Sequence, residues 1–343
     1  MVDYFNHGPG TPQYLPADYQ TTKNIMELVE SLWRVGSVLT VSQFERSPGV
    51  AERNGNFKVV TESGTYMLKG PNWQQAGQEA ARRAQNLCEK FGVPALRIIT
   101  PSRNISIRFE LATFAEGSWY SGTGDQFWEA ARALAGLHGA FRDPELERLV
   151  LESNRYRVLA RTDNIRSVIE CVETFAKHDE FDTALMDARR SIRKIIDLDD
   201  ELATALPAGA LQVIHSDMHP HNLLYLDGKI AAVVDFEPLM IANPLRDVAF
   251  AAHRLGRVMC KDDTFERDLQ KYSQAFLEAY KHNAQISIAD GASTSMLGAL
   301  IIDNQLHIIE SILSDRYGAN KHKFTLAEFR KHLKLLEEGK LLL

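Results

Sequence analysis

The stretch His215-Ser216-Asp217-Met218-His219-Pro220-His221-Asn222 lies between two apolar runs, Leu211-Gln212-Val213-Ile214 and Leu223-Leu224-Tyr225-Leu226. Both runs read as short strands, which makes the octapeptide a polar loop held at each end. Asp227-Gly228 is a turn dipeptide, and beyond it Ile230-Ala231-Ala232-Val233-Val234 reads as a third strand ending in Asp235-Phe236-Glu237. Acids, an amide and imidazoles are concentrated here, so the chemistry is expected here.

His-x-Asp-x-x-x-x-Asn followed by a strand ending in Asp-Phe is the layout of a kinase catalytic loop and metal-binding turn. Phosphoryl transfer needs a carboxylate to orient the acceptor hydroxyl and take its proton. It also needs an amide and a second carboxylate to hold Mg²⁺ against the nucleotide phosphates. Asp217, Asn222 and Asp235 fit those roles in that order, and His215 would brace the loop by hydrogen bonding.

His215 to Asn222 with Asp235-Phe236-Glu237 resembles the aminoglycoside phosphotransferase and choline kinase family, the small-molecule relatives of protein kinases. Family members commonly carry His-Gly-Asp-x-His-x-x-Asn; Ser216 replaces the glycine, while His219 and Asn222 match. Ala242-Asn243-Pro244-Leu245-Arg246-Asp247-Val248-Ala249 is similar to the family's Asp-Pro-x-x-Asp-Leu-Ala segment, with Asn243 in place of Asp. The resemblance implies that this segment opens a helix and that Asp247 supports the catalytic loop. Two other readings stand beside it. His215, His219 and His221 are dense enough for a zinc metallohydrolase, although zinc would leave Asp217, Asn222 and Asp235 without roles. A kinase-like protein that has lost catalysis would serve as a nucleotide-binding or scaffold protein.

With 343 residues the chain suits two lobes around a cleft. A hydrophobic fraction of 45% and a charged fraction of 24% are those of an ordinary globular protein. The net charge of -6 argues against nucleic acid as partner, because a polyanion wants a basic surface. Cys88, Cys171 and Cys260 are odd in number and far apart, which points to a reduced, cytoplasmic setting. The start, Met1 to Asn6, lacks the basic and apolar runs of a signal peptide. The most apolar segment, Met296 to Ile302, is interrupted by Asp303, short of the roughly 18 residues of a membrane span.

Outward from the loop, residues 1–36 read as a proline-bearing arm and one helix, with Ile25, Leu28, Val29, Leu32 and Trp33 at helical spacing and Gly36 as its stop. Residues 37–116 read as an N-lobe: strands Val38–Val41, Phe57–Val60 and Thr65–Lys69, a helix from Trp73 to Phe91, then strands Leu96–Thr100 and Ile105–Ala115. The polar stretch from Ser47 to Asn56 takes the place of a phosphate-covering loop, with Gly49 and Asn56 as its candidate contacts. Lys69 ends a strand and Glu79 lies on the following helix, the order of the kinase lysine and the glutamate that orients it. The resemblance places the hinge that holds adenine within Glu110 to Phe114, with Leu111 and Thr113 as cofactor contacts.

Residues 117–343 read as a mostly helical C-lobe that holds the catalytic loop and the acceptor pocket. Helices are expected over Phe127–Phe141, Asp163–Lys177, Phe181–Leu206, Leu245–Met259, Thr264–Lys281, Met296–Leu313 and Leu326–Leu336. His138 ends the first of these and is expected to be a packed histidine rather than a catalyst. Asp303, His307 and Glu310 share one face of the Met296–Leu313 helix, where Asp303 and Glu310, with Glu237, are candidate acceptor contacts.

The fold class expected is α+β: a bilobal protein-kinase-like fold with an antiparallel N-lobe sheet, one main N-lobe helix and a helical C-lobe. The expected function is ATP- and Mg²⁺-dependent transfer of a γ-phosphoryl group to a hydroxyl of a small polar molecule. Amino sugars and aminoglycosides rank first as acceptors, ahead of other sugars, choline-like alcohols, homoserine and methylthioribose.

Overall fold

Asp18 starts the first helix by accepting the Thr21 N–H at 2.9 Å, which satisfies a backbone donor that the first turn leaves orphaned. This helix, α1 (Tyr19–Leu32), ends before Gly36, whose φ of 76° turns the chain into the sheet. The computed structural model describes residues 11–44, 55–70, 75–102, 109–153, 162–175, 179–198, 211–284, 292–318 and 324–343. Five strands, β1 (Tyr14–Pro16), β2 (Val38–Phe44), β3 (Asn56–Thr61), β4 (Gly64–Lys69) and β5 (Glu110–Thr113), form one antiparallel sheet in chain order. Part of the N-terminal arm is therefore an edge strand. Ile25, Val29 and Trp33 from the α1 region share an apolar cluster with Val41, Val59, Leu68 and Leu111, so α1 belongs to the core of this sheet.

Helix α2 (Gln75–Lys90) follows β4. The expected strand Leu96–Thr100 is reduced to a single bridge, Ile98 with Ala112, flanked by the Ile99 N–H to Leu111 O and Thr113 N–H to Arg97 O hydrogen bonds at 2.8 Å each. Of the expected strand Ile105–Ala115 only β5 is formed among the described residues, since 103–108 lie outside them.

The second lobe begins with β6 (Ser118–Trp119), then α3 (Gly124–Ala140), α4 (Pro144–Glu152), α5 (Thr162–Phe175) and α6 (Glu180–Ile196). Short strands β7 (Gln212–Ile214) and β10 (Met240–Ala242) pair with each other, and β6, β8 (Leu223–Leu226) and β9 (Lys229–Val233) form a second small sheet. Helices α7 (Leu245–Met259), α8 (Phe265–Asn283), α9 (Thr294–Tyr317) and α10 (Leu326–Lys340) complete the lobe. Helix α4 was not anticipated; Asp143 caps it by accepting the Leu146 N–H at 2.8 Å, with Pro144 in its first turn.

Helix α9 is long and apolar enough to cross a membrane, but 67% of its most apolar window is buried inside the fold. Ile302, Leu306 and Ile309 pack against Ile165, Leu185 and Phe329 of the surrounding helices, and this accounts for its composition. It is a core helix of the lobe. The result is a mixed α+β architecture, with an antiparallel N-terminal sheet and a helical C-terminal part.

Candidate active site

The loop 215–222 is held from below by one carboxylate. Asp247, fully buried in the first turn of α7, accepts the His215 N–H and the Ser216 N–H at 2.7 Å each. His138 Nε2 lies 3.1 Å from the same carboxylate, and its Nδ1 lies 2.6 Å from the Tyr280 hydroxyl. Both backbone donors of the loop are thus matched by acceptors in a place water does not reach. His138, with both nitrogens engaged and no exposure, is a packed histidine.

Ser216 adopts a φ of 67°, a left-handed conformation that costs most L-residues about 1–2 kcal/mol. Its hydroxyl donates to Pro238 O at 2.5 Å, so the side chain that makes the turn costly also ties the loop to the turn before β10. Asp235 is left-handed too, with a φ of 62°. Strain of this kind persists only where surrounding contacts fix it, and it concentrates at functional sites.

His215 Nδ1 accepts the Asp217 N–H at 3.4 Å, which leaves the proton on Nε2 to be donated to Val234 O at 3.2 Å. With both ring nitrogens committed to backbone, His215 has none for zinc. His219 Nδ1 accepts the His221 N–H at 3.2 Å, and its Nε2 lies 3.5 Å from Asp217 Oδ2. Desolvation by itself would raise the Asp217 pKa; His219 above all, with His215 and Arg254, reverses this and holds the carboxyl below its ordinary value. Asp217 is thus a carboxylate at neutral pH.

Asn222 Nδ2 donates to Asp217 O at 2.8 Å and approaches Asp217 Oδ2 at 3.2 Å. With its amine end spent on Asp217, the amide oxygen is the atom left for a cation. The Val234 N–H donates to Asn222 O at 3.0 Å, which places the turn carrying Asp235 beside the loop. An amide oxygen and a carboxylate are hard donors that suit Mg²⁺.

Lys69 Nζ lies 3.0 Å from Asp235 Oδ1 and 2.8 Å from Glu237 Oε1, joining the N-terminal sheet to the turn that carries both acids. Burial alone would lower the Lys69 pKa, but the two carboxylates outweigh it and hold the ammonium above its ordinary value. Glu237, a candidate acceptor contact on sequence, is here a partner of this lysine.

Several sequence expectations are redirected. Glu79 is exposed on α2 and no ion pair joins it to Lys69 among the described residues, because the helix turns Gln78, Ala81, Ala84 and Gln85 inward instead. The α2 side chain that reaches the sheet is Arg82, whose Nε lies 3.7 Å from Glu110 Oε2, and Glu110 is the cross-strand neighbour of Lys69. Leu111 is buried in the N-lobe core. Its carbonyl and the Thr113 N–H are taken by Ile99 and Arg97, so neither residue offers those backbone groups to a ligand. Asn56 stands opposite Lys69 on β3, whereas Gly49 lies outside the described residues.

The acceptor candidates on α9 are engaged elsewhere. Asp303 is buried against the Arg246 guanidinium, and Glu310 Oε1 accepts from Asn164 Nδ2 at 2.8 Å. Sequence reasoning missed Arg254 and Lys331. Arg254 follows Asp247 by seven residues, a helical repeat that was open to notice. Lys331 lies more than a hundred residues from the loop, and no local pattern marks it.

The sequence model of the phosphotransferase enzyme family matches residues 48–286. No curated protein matches the sequence. Among solved structures, a spectinomycin phosphotransferase in complex with ADP and spectinomycin is similar with a TM-score of 0.67 at 15% identity, covering 93% of this chain and 98% of that one. An amicoumacin kinase in complex with AMP-PNP and Ca²⁺ gives 0.59 at 14% identity, covering 94% of each chain. The choline kinase of Streptococcus pneumoniae gives 0.56 at 14% identity, covering 92% of this chain and 98% of that one. These likenesses establish a shared fold, and the match over residues 48–286 establishes descent: the chain belongs to the phosphotransferase enzyme family.

Proposed function

We propose that the protein transfers the γ-phosphoryl group of ATP to a hydroxyl of a small polar molecule. The observation that carries this reading is the meeting of Lys69 with Asp235 at 3.0 Å, beside the loop in which Asn222 Nδ2 is bonded to Asp217. In this reading Asp217 receives the acceptor's proton as the acceptor oxygen bonds to phosphorus and the bond to the departing ADP oxygen breaks. Asn222 steadies Asp217, and Asp247 with His215 fixes the loop that carries both. Lys69 exchanges its carboxylate partners for the phosphates. A magnesium ion held by Asn222 and Asp235 would neutralise charge on those phosphates. Such chemistry depends on position and electrostatics rather than on a covalent intermediate.

The hinge for adenine falls, in this reading, after Thr113, at residues 114–117. Gly117 has a φ of 150°, and a Cβ there would approach Tyr225 O to 2.7 Å, so the crossing between lobes is drawn tightly onto β8. Solved relatives of similar fold were seen with ADP and with AMP-PNP, which supports nucleotide binding here. The test is consumption of γ-labelled Mg-ATP over a panel of hydroxyl compounds. Label appearing in an acceptor supports the proposal. Nucleotide binding without transfer to any member would favour a nucleotide-binding protein without catalysis.

A further inference from the structure

We infer that Arg82 of α2 binds the phosphate tail of the nucleotide, as a second cation beside Lys69. This deepens the phosphotransferase reading and rests on it for calling the ligand a nucleotide.

The placement follows from one helix face and one strand pair. Gln78, Arg82 and Gln85 are spaced by four and three, so they share one stripe along α2. That stripe is turned to the sheet, because Arg82 Nε lies 3.7 Å from Glu110 Oε2 on β5. Glu110 is the direct cross-strand partner of Lys69, and such partners stand on one face of a sheet with Cβ atoms roughly 4.5–5.5 Å apart. One carboxylate thus stands between Lys69 of β4 and Arg82 of α2, and Lys69 reaches on to Asp235 at 3.0 Å and Glu237 at 2.8 Å. Burial holds the Glu110 carboxyl above its ordinary value, with Arg82 and then Lys69 opposing and Glu237 adding, in agreement with this arrangement.

The stripe is short of acceptors. Arg82 Nε and Gln78 Nε2 are buried and donate to nothing among the described residues, since 3.7 Å is too long for a hydrogen bond to Glu110. Gln85 Oε1 is likewise buried without a donor. Buried polar groups left in this state are rare and call for a partner. Gln78 is only 7% exposed, but 37% of the Arg82 side chain is open, so the guanidinium is not sealed into the fold.

The sign of the charge names the ligand. A helix that served only to orient Lys69 would offer it a carboxylate. Helix α2 instead turns a guanidinium and two amides to the sheet and leaves Glu79 in solvent. Two cations on either side of a single acid suit an anion of more than one charge, and a guanidinium forms paired hydrogen bonds with phosphate. A diphosphate or triphosphate lying along Lys69 would give Arg82 the close acceptor that Glu110 does not.

The test uses the full chain with Mg²⁺ and measures binding of adenosine, AMP, ADP and AMP-PNP by calorimetry, with the melting temperature as the check on folding. Arg82→Gln should weaken ADP and AMP-PNP by at least about tenfold, the worth of a charge-assisted hydrogen bond, and leave adenosine within about twofold. Arg82→Lys should recover part of the loss. Glu110→Gln supplies a second background, in which Arg82→Gln leaves no buried acid without its counter-charge; the loss on ADP and AMP-PNP should recur there. An equal loss on all four ligands, no loss on any, or a loss that vanishes once Glu110 is neutral would each overturn the inference, the last because Arg82 would then act only by holding Glu110. Binding is read without turnover, so the two proposals fail separately. Arg82-dependent binding with no transfer to any acceptor would sink only the phosphotransferase reading, transfer that is indifferent to Arg82 would sink only this one, and a parent that binds none of the four would sink both.

Discussion

Lys69 and Asp235, 166 positions apart in sequence, meet at 3.0 Å where the N-terminal sheet faces the turn after β9. Both side chains are about one-third exposed, so the pair itself adds little to stability, about 1 kcal/mol or less. Asp235→Ala should therefore shift the melting temperature by no more than about 3 °C. If Asp235 holds the metal, kcat should fall by at least about a thousandfold, as losses at charge-stabilising positions do. A variant with near-normal turnover would remove Asp235 from the site.

Glu79 and Glu110 exchange the importance that sequence order suggested. Glu79 is exposed, whereas Glu110 lies opposite Lys69 on the neighbouring strand and within 3.7 Å of Arg82. Glu79→Ala should change kcat/KM by no more than about twofold, the effect of a surface substitution of roughly 0.5 kcal/mol. Glu110→Ala should raise KM for ATP by leaving Lys69 and Arg82 without their shared neighbour. Steady-state kinetics decides between them, and a collapse of kcat in the Glu79 variant would restore the lysine–glutamate pair that the resemblance implied.

Ser216 occupies a backbone conformation that favours glycine, yet its hydroxyl is bonded to Pro238 O. Ser216→Gly relieves the conformation and loses the bond, two terms of about 1 kcal/mol and opposite sign, so stability should stay within about 1 kcal/mol of the parent. Ser216→Ala keeps the strain, loses the bond and leaves the Pro238 carbonyl unmatched, a cost of about 1–3 kcal/mol. Urea denaturation of both variants checks the ordering. Equal losses would mean that the conformation at Ser216 is not a cost.

The same residue shows why part of the site was legible before the fold was known. The loop's chemistry is written in consecutive residues: Asp217 and Asn222 are five apart, and Asp235 ends the next hairpin. Local spacing sufficed because the loop and hairpin are local structures. Asp247 was legible for a similar reason, since it opens the helix that follows. Glu79 lies exposed, apart from Lys69, because order along a helix does not state which side faces the sheet, and α2 buries its alanines instead. The Leu111 carbonyl and Thr113 N–H are taken within the fold, a bond pattern that depends on Arg97 and Ile99 crossing beside β5. The acids of α9 share a face, as expected, but Arg246 and Asn164 come from other helices to claim them.

Asp247 carries more structure than any other acid in the loop's surroundings, with two backbone donors and His138 converging on it in a fully buried position. Asp247→Ala should cost about 3–5 kcal/mol, because the donors it leaves behind have no route to water. Asp247→Asn is the sharper variant: an amide offers one acceptor oxygen where the carboxylate offers two. It should fold, with a lower melting temperature, and lose kcat more than it gains KM, since Asp217 rides on the displaced loop. If kcat is unchanged in a folded Asn variant, the loop does not depend on this carboxylate.

Lys331 links stability to pH. Burial and Arg254 hold its ammonium at about 8 in the folded protein, below the ordinary value of 10.5 in an unfolded chain. Below pH 8 the lysine is charged in both states and the folded state carries the whole penalty. Between about 8 and 10.5 the unfolded state binds more protons, so this group's contribution to stability rises with pH, and above that window the penalty is gone. Lys331→Met should accordingly melt higher than the parent at pH 7 in buffer free of multivalent anions, and the advantage should shrink as pH rises through that window. A parent that melts higher than the variant at pH 7, with the gap independent of pH, would show that Lys331 is already matched by a counter-charge.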